Sequence, residues 1–143
     1  VVGEITLMAL SGRLLGRVPA SSLLIVAYAV GALRWLAIAL IPDVTVLLAL
    51  QPLHAISFAL FWVTSLDQVK RRAPREILAT AQGVFNAAVG AGAVVGMLVW
   101  GWMFERYGGK MTFACAAGVA ACAAIVASGV DRGRARAPQT QVV

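Results

Sequence analysis

Long apolar stretches separated by short clusters of charge dominate this sequence, and they constrain its fold more than any other feature. Hydrophobic residues make up 61% of the chain and charged residues only 13%. A soluble domain usually carries about a quarter charged residues, so this chain lacks the polar surface that keeps a protein in water. The pattern predicts an integral membrane protein in a lipid bilayer. It excludes a secreted disulfide scaffold, a disordered tail and an ordinary cytosolic enzyme.

The apolar stretches are long enough to be transmembrane helices. A helix needs about 20 apolar residues to cross the roughly 30 Å hydrocarbon core, and backbone groups in lipid must be hydrogen-bonded internally. We therefore predict an all-α membrane protein, a polytopic bundle of transmembrane helices. Full spans are expected at about 20–41, 44–66, 79–104 and 109–130.

The two ends of the chain are not predicted to be complete spans. Residues 1–12 are apolar apart from Glu4, they are too short to cross alone, and the chain begins with Val1 rather than Met. A signal peptide would open with basic residues and end in a cleavage site. We interpret 1–12 as the end of one more span and the chain as a fragment that lacks N-terminal helices. Residues 131–143 are expected to form a disordered cytoplasmic tail.

The basic residues are distributed unequally between the two sides of the predicted bundle. Nine of the twelve lie on one side, two lie on the other, and Arg34 lies inside a span. Because cytoplasmic loops carry the excess of Lys and Arg, the side with nine is expected to face the cytoplasm, together with the C-terminus. The placement of the basic residues thus explains the net charge of +6 by membrane orientation and not by a nucleic-acid partner. We expect a multi-pass protein of the cell inner (plasma) membrane.

Three ionisable residues fall near the predicted midplane. At about 1.5 Å per residue, Glu4, Arg34 and His54 lie roughly 14, 20 and 15 Å from their membrane surfaces. An ionisable group inside the hydrocarbon costs about 2.5–3.5 kcal/mol on insertion scales, so each needs a partner or a purpose. Secondary transporters place substrate and coupling-ion sites at this depth.

Each of these residues has a structural and a functional interpretation. Glu4 and Arg34 could form a buried ion pair that only locks two helices, or a pair that exchanges partners with substrate or proton. His54 could simply hydrogen-bond a neighbouring helix. Alternatively, it belongs to a polar and aromatic stripe at helical spacing, as a pore-facing surface requires. The stripe consists of Gln51, His54, Phe58, Phe61 and Ser65.

The third predicted span carries two amides among small residues. Gln82 and Asn86 lie four apart and share a helix face, so they are candidates for substrate binding or for helix packing. Gly92 and Gly96 form a GxxxG pattern that allows helices to approach closely. We find no metal cluster, nucleophile–base arrangement or phosphate loop, so we predict no catalytic residues, no metal, no cofactor and no enzyme activity.

The segments 4–8, 11–15, 33–35, 50–58, 79–83 and 104–108, in this order and topology, carry a family resemblance. Over nearly the whole chain, the sequence resembles the C-terminal part of a major facilitator superfamily transporter. It is most similar to the branch of the 3-phenylpropionate transporters and, more distantly, to the lactose permease. The resemblance implies that 1–130 is part of the C-terminal six-helix half of that fold.

The resemblance also implies roles for individual residues. Glu4 matches the acidic residue of helix eight, Arg34 the arginine of helix nine and His54 the histidine of helix ten, positions that serve proton coupling and substrate binding in the lactose permease. Two departures matter: Ser57 replaces a carboxylate one turn after the histidine, and Gln51 replaces a lysine one turn before it. Sugar specificity therefore does not carry over.

The leading hypothesis is a fragment of a secondary active transporter, a proton-coupled symporter of a small organic solute such as an aromatic acid. Glu4 would exchange the proton, while Arg34, Gln51, His54, Phe58, Gln82 and Asn86 would contact the solute. One alternative is a small four-helix multidrug exporter that works as a dimer. Another is a truncated membrane protein without transport activity.

Overall fold

The computed structural model describes residues 18–41 and 43–136, with side chains described as far as residue 129. All regular structure in these ranges is helical, which confirms the predicted all-α membrane helix bundle. Three stretches, Ala20–Leu40, Val44–Arg72 and Arg75–Gly129, are long and apolar enough to cross a membrane. The elements are α1 (Ala20–Leu40), α2 (Val44–Ala49), α3 (Gln51–Arg72), a 3-10 turn (Arg75–Ile77) and α4 (Leu78–Arg136).

The stretch predicted as a second span, 44–66, contains two helices. The Asp43 carboxylate begins α2 by accepting hydrogen bonds from the backbone N–H groups of Thr45 (2.7 Å) and Val46 (3.3 Å). Such a cap satisfies donors that the first turn cannot pair within the helix. Leu50 separates α2 from α3. The last turn of α3 is basic and runs to Arg72, as the negative end of the helix dipole favours.

Helix α4 is two helical arms joined at a single residue. Gly108 has φ 78° and ψ 170°, a conformation reserved for glycine because it has no Cβ. The first arm covers 78–107 and the second arm covers 109–136, into the segment assigned to the tail. Thr112, which is buried, donates its hydroxyl hydrogen to the Gly108 carbonyl oxygen at 2.9 Å. One non-helical residue thus replaces the loop expected between two spans.

Helix α1 is the centre of the bundle. It contributes four of the buried apolar side chains and packs against both α3 and the second arm of α4. Tyr28 meets Phe61 of α3 with ring centroids 6.0 Å apart. Trp35 stacks on Phe113 of the second arm at 5.6 Å, with only 7° between the ring planes. The core therefore lies where α1 packs against α3 and against the second arm.

The first arm of α4 stands at the margin of this core. Its apolar side chains are largely exposed, for example Met97 at 74% and Leu98 at 71%. Phe85 meets Trp62 of α3 at 5.9 Å, and this contact ties the arm to the bundle. The bundle has a basic end, where α3 ends at Arg72, and a turn end, which holds Asp43 and Gly108.

Candidate functional site

All but one of the predicted site residues lie on α1, α3 and α4. The exception is Glu4, the candidate for proton coupling, which lies outside the described residues, so its role stays a prediction. Arg34 lies on α1, and Gln51, His54 and Phe58 lie on α3. The amides Gln82 and Asn86 lie on the first arm of α4.

Arg34 is half-buried on the inner face of α1. At about 100° per residue, it shares this face with the buried Leu23, Ala27 and Ile38. Its guanidinium carbon lies 4.6 Å from the ring centroid of Trp35, a distance at which a cation is attracted to an aromatic face. Its Nε atom is buried and has no hydrogen-bond partner among the described residues. This N–H group is therefore able to donate a hydrogen bond to a further acceptor.

His54 begins a series of rings that we call the aromatic ladder, formed by His54, Phe58, Trp62 and Phe85. His54 lies 5.9 Å from Phe58, and Phe58 stacks on Trp62 at 6.0 Å with 13° between the planes. Trp62 then meets Phe85 of the first arm at 5.9 Å. Phe58 is 41% exposed, so the ladder presents ring surface that a solute could contact.

The residues of the stripe predicted on α3 lie in two different environments. Gln51 is exposed at the beginning of α3, and His54 is half-buried. Phe61 turns instead towards α1, where it packs on Tyr28. Ser57 donates its hydroxyl to the His54 carbonyl oxygen of its own helix at 3.0 Å. Trp62 continues the ring series, although the sequence analysis had not selected it.

The two amides of the first arm flank the end of the ladder. Gln82 is half-buried, Asn86 is exposed, and both lie within one turn of Phe85. Because Phe85 contacts Trp62, the structure brings the amide-bearing arm beside α3. The hydrogen bonds and ring contacts of the described residues do not join Arg34 to the ladder. The predicted site residues thus form two groups.

These two groups can do different chemistry. A half-buried guanidinium favours an anionic group, and exposed rings favour the flat apolar face of a solute. Within 18–41 and 43–136, no group of three or more His, Cys, Asp or Glu residues is placed to hold a metal ion.

The long apolar helices and their exposed apolar side chains define an all-α protein of the membrane. Residues 1–115 match the model of the MFS_1 like family. The maltose permease of Geobacillus stearothermophilus is 32% identical over 105 residues, which cover 73% of this chain and 27% of the permease. No solved structure matches the chain.

The chain belongs to the MFS_1 like family. This membership confirms the resemblance to the major facilitator superfamily, although neither comparison singles out the branch of the 3-phenylpropionate transporters or the lactose permease. The family and the similarity to a permease both point to membrane transport. The chain spans about a quarter of the length of that permease.

Proposed function

We propose that the chain is part of a secondary active transporter that takes up a small organic acid together with protons. In this proposal it supplies helices of the C-terminal half, and further N-terminal helices complete the solute pathway. Membership of the MFS_1 like family supports this proposal. The basic end is proposed to face the cytoplasm, because Lys and Arg accumulate on that side of inner-membrane proteins.

The proposal rests on the buried Nε atom of Arg34, which lacks a hydrogen-bond partner among the described residues. A charged side chain inside the membrane costs about 2.5–3.5 kcal/mol on insertion scales and is usually paired. We propose that Arg34 holds the carboxylate of Glu4 in one state and that of the solute in another. Glu4 then takes up a proton when Arg34 engages the solute.

The remaining candidates contact the body of the solute. His54 and Phe58 offer ring surface on α3. Gln51, Gln82 and Asn86 offer amide donors and acceptors. An aromatic acid suits this combination, because its ring would stack on the ladder while its carboxylate meets a cation.

A sugar is the second candidate solute. The similarity to the maltose permease favours it, and the flat apolar face of a sugar could also pack on the exposed Phe58. The two candidates differ in charge, so uptake of radiolabelled maltose and of radiolabelled 3-phenylpropionate by cells producing the full-length protein distinguishes them. A sugar transporter would take up maltose and would not need a guanidinium to hold a carboxylate.

Uptake and exchange by two variants test the mechanism. Glu4→Gln should abolish proton-driven accumulation while leaving solute exchange across the membrane intact. Arg34→Gln should weaken solute binding by about tenfold or more, the loss expected for one hydrogen bond to a charged group. The exposed Arg106→Gln is the matched control and should behave as the wild type. Proton-driven accumulation that survives Glu4→Gln would remove the proposed role of Glu4.

The mass of the native protein tests the proposed longer chain. Intact mass measured from its own membranes should be several-fold above the 14.9 kDa of this chain. A native mass near 14.9 kDa would contradict the proposal. It would favour a dimeric exporter or an inactive product instead.

A further inference from the structure

A groove at the basic end carries an inference that does not depend on the solute. The groove has a volume of about 820 Å³ and is formed where α1 begins, α3 ends and the two arms of α4 pass. Its apolar lining includes Leu24, Val69, Ile77, Val84 and Phe85. Ligand pockets typically have about 300–1,000 Å³, so the space is large enough for a bound molecule.

The rim of the groove is basic. Arg72 lines the groove and is exposed. Between residues 67 and 76 there are four basic and two acidic residues, which leaves an excess of positive charge. Asp67 is engaged by Arg71, with its carboxylate oxygen 2.6 Å from the arginine Nε. Arg72 therefore keeps its charge available at the mouth of the groove, although the exposed Glu76 lies nearby.

Most polar groups of the lining lie near this rim, whereas the deeper part is apolar apart from Ser65. Gln68 lies one turn before Arg72, and Thr80 lies one turn after Ile77. From Ile77 to Phe85 the first arm rises about 12 Å at about 1.5 Å per residue. The groove thus combines a cationic, hydrogen-bonding mouth at a membrane surface with an apolar channel that runs into the bilayer.

We propose that this groove binds one anionic phospholipid. The headgroup phosphate lies against Arg72 with Gln68 in hydrogen-bonding reach, and an acyl chain follows the apolar lining towards Phe85. Basic pockets between transmembrane helices are suited to anionic headgroups. The charge of the mouth favours a lipid over a neutral solute or an apolar helix as the occupant.

Native mass spectrometry of the full-length protein tests this proposal. The protein is released from nanodiscs that contain phosphatidylcholine and phosphatidylglycerol in equal amounts, and the retained lipids are counted. The wild type should retain phosphatidylglycerol in preference to phosphatidylcholine. Arg72→Ala should reduce that preference about fivefold, the effect expected for one basic side chain near an anionic surface.

Three control variants separate binding in the groove from general attraction to the membrane. Arg106→Ala removes an exposed basic residue at the turn end and should leave the retained phosphatidylglycerol unchanged. Ala81→Leu adds bulk inside the groove while leaving the charge, and should reduce retention; Ala87→Leu adds the same bulk on the exposed face of the same arm and should not. Arg72→Lys keeps the charge and should retain the lipid.

Three results would overturn the proposal. Equal retention of the two lipids by the wild type would show no headgroup selection. Unchanged retention in Arg72→Ala would leave the cationic mouth without a role. Unchanged retention in Ala81→Leu would mean that the lipid lies on the surface and that another molecule or helix occupies the groove.

Discussion

The two ends of the bundle are built differently. At the turn end, a side-chain cap at Asp43 and a one-residue break at Gly108 connect the helices, and Trp35, Phe104 and Phe113 pack there. At the basic end the helices separate around the groove of about 820 Å³. The turn end has a smaller cavity, of about 350 Å³, beside Phe104 and Phe113. Side-chain contacts therefore hold the bundle together at the turn end, and the larger space lies at the basic end.

Gly109 shows how tightly the turn end is packed. A Cβ atom built on Gly109 would lie 3.0 Å from a ring carbon of Phe104 and 3.5 Å from one of Phe113. At this point the rings of Phe104 and Phe113 lie close to the backbone of the second arm. Glycine is the residue that permits this approach.

The largest expected effect is at the break itself. Gly108→Ala places a Cβ on backbone at φ 78° and ψ 170°, and such conformations cost about 1–3 kcal/mol for other residues. Thermal unfolding in detergent should show destabilisation of this order. Gly118→Ala is the matched control, because a Cβ there meets nothing within 4 Å. Equal stability of the two variants would contradict a strained break.

The next largest effect on stability is expected at one of two buried threonines. Thr112 is bonded to the Gly108 carbonyl oxygen, so Thr112→Val should destabilise the protein by about 1 kcal/mol, the usual net value of a hydrogen bond. Thr64 is 1% exposed, and its hydroxyl has no partner among the described residues. Thr64→Val should therefore be neutral or stabilising. If both variants lose the same stability, the two hydroxyls are equivalent and this contrast is wrong.

A double-mutant cycle measures the ring stack between α1 and the second arm. Trp35→Leu, Phe113→Leu and the double variant should give a coupling of about 0.5–1.5 kcal/mol, as aromatic pairs do. The same cycle for Trp62 and Phe85 tests the tilted contact that ties the first arm to α3. The coupling of this second pair should be the smaller one, and an equal or larger value would contradict a first arm at the margin of the core.

The smallest effect concerns pH at the turn end. The hydrogen bonds donated by the backbone and side chain of Thr45, and then by the backbone of Val46, lower the pKa of the Asp43 carboxyl below its ordinary value of 3.8. Its contribution to stability is therefore complete above pH 3.8 and is lost as the pH falls through the lowered pKa. The change in the unfolding temperature over this range should be small, since the carboxylate is exposed, and it should be absent in Asp43→Asn.

Sequence reasoning predicted the helical membrane fold because apolar length alone determines which segments can span a bilayer. It did not predict which faces meet. Phe61 and Trp62 are adjacent and both lie near the His54 face, so periodicity cannot tell that Phe61 meets α1 while Trp62 meets α4. The stack of Trp35 on Phe113 joins positions 78 residues apart, and no local pattern carries that information.

The sequence did not predict the groove either. Its lining comes from α1, α3 and both arms of α4, and these elements are apolar on most faces. Only the basic cluster at 70–75 marked this end of the bundle. That cluster was interpreted through membrane orientation, which does not require a cavity.

The break at Gly108 has a consequence for how this protein is made. Two apolar arms that are joined by one non-helical residue leave only a short connection to be carried across the membrane, with the charged Glu105, Arg106 and Lys110 beside it. The pair should therefore enter the bilayer during translation as one hairpin rather than as two successive helices. A force measurement on the nascent chain would then record one pulling event for the pair.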